Sequence, residues 1–433
     1  MSTGSELWNK AKTLIPGGSM LLSKRAEMYL PAGWPAYFSR TQGCTVWDLD
    51  DKPYIDVGLM GVGTNILGYS HPKVDEAVMR TVKNGNLSTL NAPEEVYLAE
   101  ALIALHPWAG MARFTRSGGE ACAVAVRIAR AASGKDKVAF CGYHGWHDWY
   151  LSANLGEDDS LDGHLLPGLE PNGVPRALRG TSIPFRFNDL AGLTAIMGAG
   201  DVGVIFMEVQ RSAPPAPGFL EGVRALATKH GAVLVFDECT SGFRRPMGGM
   251  HLHYGVNPDI ATFGKTLGNG YAINAIIGRA EIMQAAQTTF ISSTFWTERI
   301  GPTAALATLA AMTEEDAPAR VHQIGVNVQQ RWQETAATAG LAITVGGLPA
   351  LANYTVTGLD PLLVKTYVTG RLLDLGFLGG MSVYASIAHT DEVLDQYFEA
   401  VATIMGELAQ LDDAMLLALL PGGVAQGGFA RLT

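Results

Sequence analysis

Residues 202–239 read V-G-V-I-F-M-E-V-Q-R-S-A-P-P-A-P-G-F-L-E-G-V-R-A-L-A-T-K-H-G-A-V-L-V-F-D-E-C. The run Val202 to Val209 is almost continuously apolar, and so is Ala232 to Phe236, while Gly222 to His230 between them has helical spacing. A strand that is apolar on both sides is covered on both faces, and strand–helix–strand units of this kind build parallel sheets. Upstream the pattern repeats: Met111 to Thr115 reads as a strand, Gly119 to Ala132 as a helix and Lys137 to Cys141 as a strand. The fold class is therefore α/β, with a large, mostly parallel sheet. Ligands of such sheets lie outside the carboxyl ends of the strands, so the residues to read are Ser117, Tyr143, Glu208, Asp237 and Lys265.

Both flanks differ from this centre. Ser5 to Leu14 reads as a short helix stopped by Pro16-Gly17-Gly18, and Thr45 to Asp50 with Tyr54 to Val57 as a β-hairpin. Pro72 to Lys83 and Pro93 to Leu105 are helical. Beyond residue 312, helices over Val321–Ala337, Leu362–Leu375 and Asp391–Leu411 alternate with short strands at Ala342–Val345 and Ala352–Val356. The expected organisation is a large domain over 71–311 and a small α+β domain formed by both chain ends, 1–70 and 312–433.

Of 433 residues, 48% are hydrophobic, 17% are charged and 51 are glycine. This composition excludes a disordered chain and points to many tight turns. The net charge of −10 comes without any basic run, which argues against nucleic-acid and anionic-membrane partners. The four cysteines are scattered, so neither a disulfide scaffold nor a structural zinc site is expected. No metal is expected elsewhere: His144 and His147 lack a further ligand pattern. The start has no signal-peptide order and no apolar run is long enough to span a bilayer, so the chain reads as cytoplasmic.

Four segments carry chemistry. In Phe236-Asp237-Glu238-Cys239 a carboxylate ends an apolar strand, either as a turn or cap residue or as the charge partner of a bound cation. In Gly264-Lys265-Thr266 a lysine sits in a Gly-rich apolar segment. A phosphate loop would need glycine at 259, where Asp259 stands. What remains is a snorkelling surface lysine or an amine of lowered pKa that acts as a Schiff-base nucleophile. Arg116-Ser117-Gly118-Gly119 joins a strand to a helix, a turn whose amides can reach a phosphate. In Gly142-Tyr143-His144-Gly145-Trp146 an aromatic ring is placed to pack in the core or to stack on a flat cofactor.

The order of these segments, with P-G-G, V-W-D-L-D, L-G-Y-S-H-P, S-G-G-E-A, G-Y-H-G-W, F-D-E-C-T-S-G-F-R, G-K-T-L-G-N-G and S-S-T-F-W-T-E-R, resembles the class III aminotransferases. Within them it is similar to the glutamate-1-semialdehyde aminomutase-like branch, and the likeness runs from Leu14 to Leu411. It implies a fold-type I enzyme using pyridoxal 5′-phosphate. By resemblance Lys265 is the Schiff-base lysine, Asp237 pairs with the pyridinium nitrogen, Tyr143 covers the ring, and Ser117, Gly118 and Gly119 hold the phosphate. Glu208 lies near the ring, Cys239 faces its other side, and Thr294 reaches the phosphate of a neighbouring subunit, which implies a homodimer with shared sites. Lys24, Arg25 and Trp34 are the substrate-facing candidates. The implied reaction moves an amino group between an amino compound, an amino acid, and an oxo acceptor by a ping-pong route; the alternative is an aminomutase or amino-acid racemase. The chain departs from the family's frequent residues at Arg116, Gly119, Val209, Cys239, Ser241, Ala272, Ser293 and the segment Trp296–Arg299.

Overall fold

The computed structural model describes residues 2–156, 160–164 and 167–429. It divides the chain into two compact units, one made of 1–71 with 319–433 and the other of 72–318. In the first unit the opening helix runs over Thr3–Leu14. It starts two residues earlier than its spacing suggests because the Ser2 hydroxyl accepts the Ser5 amide at 3.3 Å, a side-chain N-cap. Strands β1 (Phe38–Gln42), β2 (Thr45–Asp48) and β3 (Pro53–Asp56) follow as an antiparallel meander. Asp48 shapes the β2–β3 turn by accepting the amides of Asp50 and Lys52, each at 2.9 Å.

The second unit holds β4 (Met111–Thr115), β5 (Lys137–Cys141), β6 (Ser182–Pro184), β7 (Val202–Glu208), β8 (Val233–Glu238), β9 (Ile260–Phe263) and β10 (Asn274–Gly278). They form one sheet in the order β4-β10-β9-β8-β7-β5-β6. The five strands from β6 to β9 are parallel, whereas β10 is antiparallel to both β9 and β4. Every residue of β7, β8, β9 and β10 is buried, which is why their sequences are near-continuous apolar runs. The helix Gly118–Ser133 lays Ala121, Ala125 and Ile128 against Val138, Phe140, Val204 and Val235. Small residues on that face let the helix lie close to the sheet, and Gly134, at φ +66°, ends it. The helix Ile300–Glu314 has no sequence forecast, because it is alanine-rich and apolar on all sides, with Ala304, Ala305, Thr308 and Met312 buried.

In the C-terminal part of the first unit, β11 (Ile343–Gly346), β12 (Leu351–Val356) and β14 (Ser382–Tyr384) form an antiparallel sheet, while β13 (Phe377–Leu378) pairs parallel with β3. That pairing joins the two chain ends in one unit. The helices Ala317–Ala339, Pro361–Asp374 and Asp391–Leu408 cover a core centred on Trp332, Tyr354, Tyr397 and Met405, where the Trp332 indole donates to the Tyr397 hydroxyl at 3.2 Å. Among the described residues no helix is long and apolar enough to cross a membrane.

Candidate active site

Asp237 is the penultimate residue of β8 and is 5% exposed. Its Oδ1 accepts the Cys239 amide and the Thr262 hydroxyl, both at 3.0 Å, and its Oδ2 meets His144 Nδ1 at 2.8 Å and the Cys122 thiol at 3.4 Å. Burial alone would raise this carboxyl; the His144 hydrogen bond and charge, with the Cys239 amide, outweigh it and hold the group below its ordinary range. The other nitrogen of His144 faces the Cys141 carbonyl at 3.1 Å. Both ring nitrogens of His144 thus face oxygen atoms.

Lys265 follows β9, and its amine donates to the Thr240 hydroxyl at 2.9 Å. Its backbone is left-handed, φ +32°, a conformation that costs a non-glycine residue about 1–3 kcal/mol and gathers at functional sites. The preceding residue has to be glycine: a Cβ on Gly264 would lie 1.9 Å from Asn274 Nδ2. Burial pushes the amine down to about 8, helped by the nearby Arg211 and Arg244 guanidiniums.

The helix Gly118–Ser133 opens with a capping box: the Ser117 hydroxyl caps the Glu120 amide, and Glu120 Oε2 accepts the Ser117 and Arg116 amides at 2.9 Å each. Among the described residues the amides of Gly118 and Gly119 have no partner. Beside them His147 Nδ1, also buried and unpartnered, lies 3.0 Å from where a Gly119 Cβ would stand. Two unpartnered amides at a helix N-terminus, with His147 Nδ1 beside them, form a receptacle for an oxyanion.

The pattern of the family described as aminotransferase class-III matches residues 31–351. The chain belongs to the class III aminotransferases. A 3-aminobutyryl-CoA aminotransferase of Cloacimonas acidaminovorans (strain Evry) is 32% identical, over 95% of this chain and 98% of its own. The FumI protein of Sphingopyxis sp. MTA144 superposes with a TM-score of 0.85 at 24% identity, covering 95% of this chain and 99% of that one. A transaminase with bound pyridoxal phosphate gives 0.83 at 27%, over 94% and 99%. The aminotransferase is thus a pyridoxal-phosphate enzyme of fold type I. Its residues fit the cofactor: a buried carboxylate for a protonated ring nitrogen, an amine whose lowered pKa leaves a useful neutral fraction for an aldehyde, and unpartnered amides for a phosphate.

The remaining expected residues fall in three places. Tyr143, two residues beyond β5, donates its amide to Glu208 Oε2 at 3.3 Å, and Glu208, at the end of β7, pairs with Arg211 at 3.2 Å. Gly142 between them is at φ +116°, and a Cβ there would meet Glu208 Oε2 at 2.6 Å. Cys239, next to Asp237, places its sulfur 3.8 Å from where a Gly118 Cβ would stand. Cys122, Asp237 and Cys239 bring two thiols and a carboxylate within 4.8 Å. Both thiols are held up: Cys122 by its bond with Cys239 and by burial, and Cys239, which that same bond lowers, by burial together with the Asp237 charge. They remain protonated, poor ligands for a metal. Thr294 is exposed on the turn Thr294–Thr297, and no hydrogen bond ties it to this chain's own cluster. Lys24, Arg25 and Trp34 belong to the other unit. There Lys24 is exposed, the Arg25 guanidinium packs over Phe429 at 5.7 Å, and Trp34 stacks on Tyr29 at 4.2 Å.

Two departures of the aminotransferase from its family become intelligible in space. A Cβ at 119 would sit 3.0 Å from His147 Nδ1, so a side chain there would press on His147, which glycine avoids. Arg116 bonds Glu298 Oε1 at 2.8 Å and the carbonyls of Trp296 and Glu298 at 2.8 and 2.9 Å, while Glu298 caps the Ile300 and Gly301 amides. The altered 296–299 segment is therefore clamped to the altered strand end. The Ser241 hydroxyl donates to Glu238 Oε2 at 3.1 Å; nothing in the structure explains Val209 and Ala272. Sequence reasoning missed His144 as the partner of Asp237, Thr240 as the partner of Lys265, and Arg211; each lies within a few residues of a strand end, the signal that pointed to their neighbours.

Proposed function

We propose that this aminotransferase takes the amino group from an amine-bearing carbon two bonds from an acyl group, a β-amino acid or its thioester, and passes it to an oxo acid. The observation that carries the site assignment is the convergence of Asp237 and Lys265 at the ends of the neighbouring strands β8 and β9, beside the unpartnered amides of Gly118 and Gly119. The substrate reading rests on the 3-aminobutyryl-CoA aminotransferase to which the chain is 32% identical. When bound, pyridoxal 5′-phosphate supplies an aldehyde for the amino group and a ring that accepts electrons from the breaking C–H bond. Lys265 Nζ would take the proton from the substrate carbon, with the Thr240 hydroxyl, 2.9 Å away, holding the amine in line. Asp237, backed by His144, keeps a proton on the ring nitrogen. Ser117, Gly118 and Gly119 would hold the phosphate, and Tyr143, Cys239 and Glu208 would contact the ring.

Mixing the enzyme with 3-aminobutyrate and no acceptor should yield one equivalent of oxo product per site and then stop. Sustained conversion of a single amine into its positional isomer or enantiomer would replace this reading by an aminomutase or racemase. We further propose a cytoplasmic homodimer in which Thr294 serves the partner's phosphate, supported by the exposed setting of Thr294, Phe295 and Phe290. Sedimentation at micromolar concentration should give a dimer or larger; a fully active monomer would remove Thr294 from the site.

A further inference from the structure

A cavity of about 770 Å³ opens beyond the carboxyl ends of β5, β6 and β7, walled among others by Gly142, His164, Arg186, Asn188, Glu208 and Arg211. Its size is that of a small-ligand site, and its position is where ligands of parallel sheets bind. His164 is neutral there: its Nδ1 accepts the Gly142 amide at 3.1 Å, and burial, with nearby His144, pushes the ring down to about 4. The charged groups of the described wall are thus two guanidiniums, Arg186 and Arg211, and one carboxylate, Glu208. That carboxylate is already shared by Arg211 Nη1, at 3.2 Å, and the Tyr143 amide. Arg186 is exposed, whereas the Arg211 side chain is 19% exposed and anchored.

We propose that Arg211 is the specificity residue of this cavity and binds the oxyanion of the amino substrate, leaving its amine toward Lys265. The assignment rests on the β-amino reading above. A guanidinium presents five N–H donors in a fork, and engagement by Glu208 at Nη1 orients it. Glu208 then acts as a positioning residue. Arg211 is also near enough to Lys265 and Tyr143 for its charge to lower the pKa of both. The oxyanion is either the free carboxylate of a β-amino acid or a phosphate of a thioester carrier.

Calorimetry on the holoenzyme with 3-methylbutyrate, which keeps the carboxylate and lacks the amine, reads the contact without turnover. Arg211→Gln is expected to weaken this ligand about ten- to a hundredfold, the value of a charged hydrogen bond, and Arg211→Lys by less. The preference for 3-aminobutyrate over 3-aminobutyramide should fall by a similar factor, chiefly through KM. If only 3-aminobutyryl-CoA, and not the free acid, loses affinity in Arg211→Gln, the oxyanion is the carrier phosphate. Should Arg211→Gln not fold, Arg211→Lys carries the test, with the same ranking of ligands. Equal binding of all these ligands by wild type and variant overturns the proposal. The binding arm stands apart from the aminotransfer reading: a wild type that binds 3-methylbutyrate through Arg211 yet converts no 3-aminobutyrate would remove that reading alone.

Discussion

Lys265→Ala is expected to bind pyridoxal 5′-phosphate through the phosphate and ring contacts yet to turn over at least about 10⁴-fold more slowly. Loss of a positioned acid–base group alone costs about 10²–10⁴-fold, and this amine is also the nucleophile. The structure explains why the lysine is suited to the work: burial and two guanidiniums hold its amine at about 8, so a useful fraction is neutral near pH 7. In the wild type, the rate of reaction with added cofactor should therefore climb up to about pH 8 and level off, rather than climbing toward the ordinary lysine range near 10.4. Borohydride treatment followed by peptide mapping should place the label on Lys265. Label on another lysine, or appreciable turnover by the alanine variant, would refute the assignment.

Asp237→Asn should lower turnover by about 10²–10³-fold or more. Removing one partner of a well-placed buried ion pair costs roughly 3–5 kcal/mol, and each 1.36 kcal/mol is about tenfold in rate. Asparagine keeps the shape and can still accept at one oxygen, but it withdraws the charge that faces His144 and the ring nitrogen. Stability should fall as well. The carboxyl lies below its unfolded value, so its contribution is present above about pH 3.9 and is lost as pH falls through the native value. The melting-temperature gap between wild type and variant should therefore be full at neutral pH and close in acid. Near-normal single-turnover rates in Asp237→Asn would contradict the electron-sink role.

What the sequence by itself determined is local. Apolar runs at Val202 and Val233 marked buried parallel strands, because a strand covered on both faces cannot alternate. Glycine and proline punctuation marked the ends of the helices Pro93–Leu105 and Gly118–Ser133, because caps are made within a few residues of the chain. The order of the turn at Ser117, Tyr143, Asp237 and Lys265 pointed to the cofactor, since each sits where a strand delivers its next residue to one edge of the sheet. Tertiary structure decided the rest. Nothing in Asn274–Gly278 tells that it runs against β9; the turn that reverses the chain, with Asn269 at φ +45°, does that. The alanine-rich helix Ile300–Glu314 has no apolar face to read until its neighbours bury Ala304, Ala305, Thr308 and Met312. His144 meets Asp237 across 93 residues, Arg116 meets Glu298 across 182, and His147 fills the space beside Gly119. Such pairs have no period and no fixed spacing. They exist only because packing the helices on the sheet brings side chains from distant parts of the chain within 3 Å of one another, and that geometry sets the charge of Asp237.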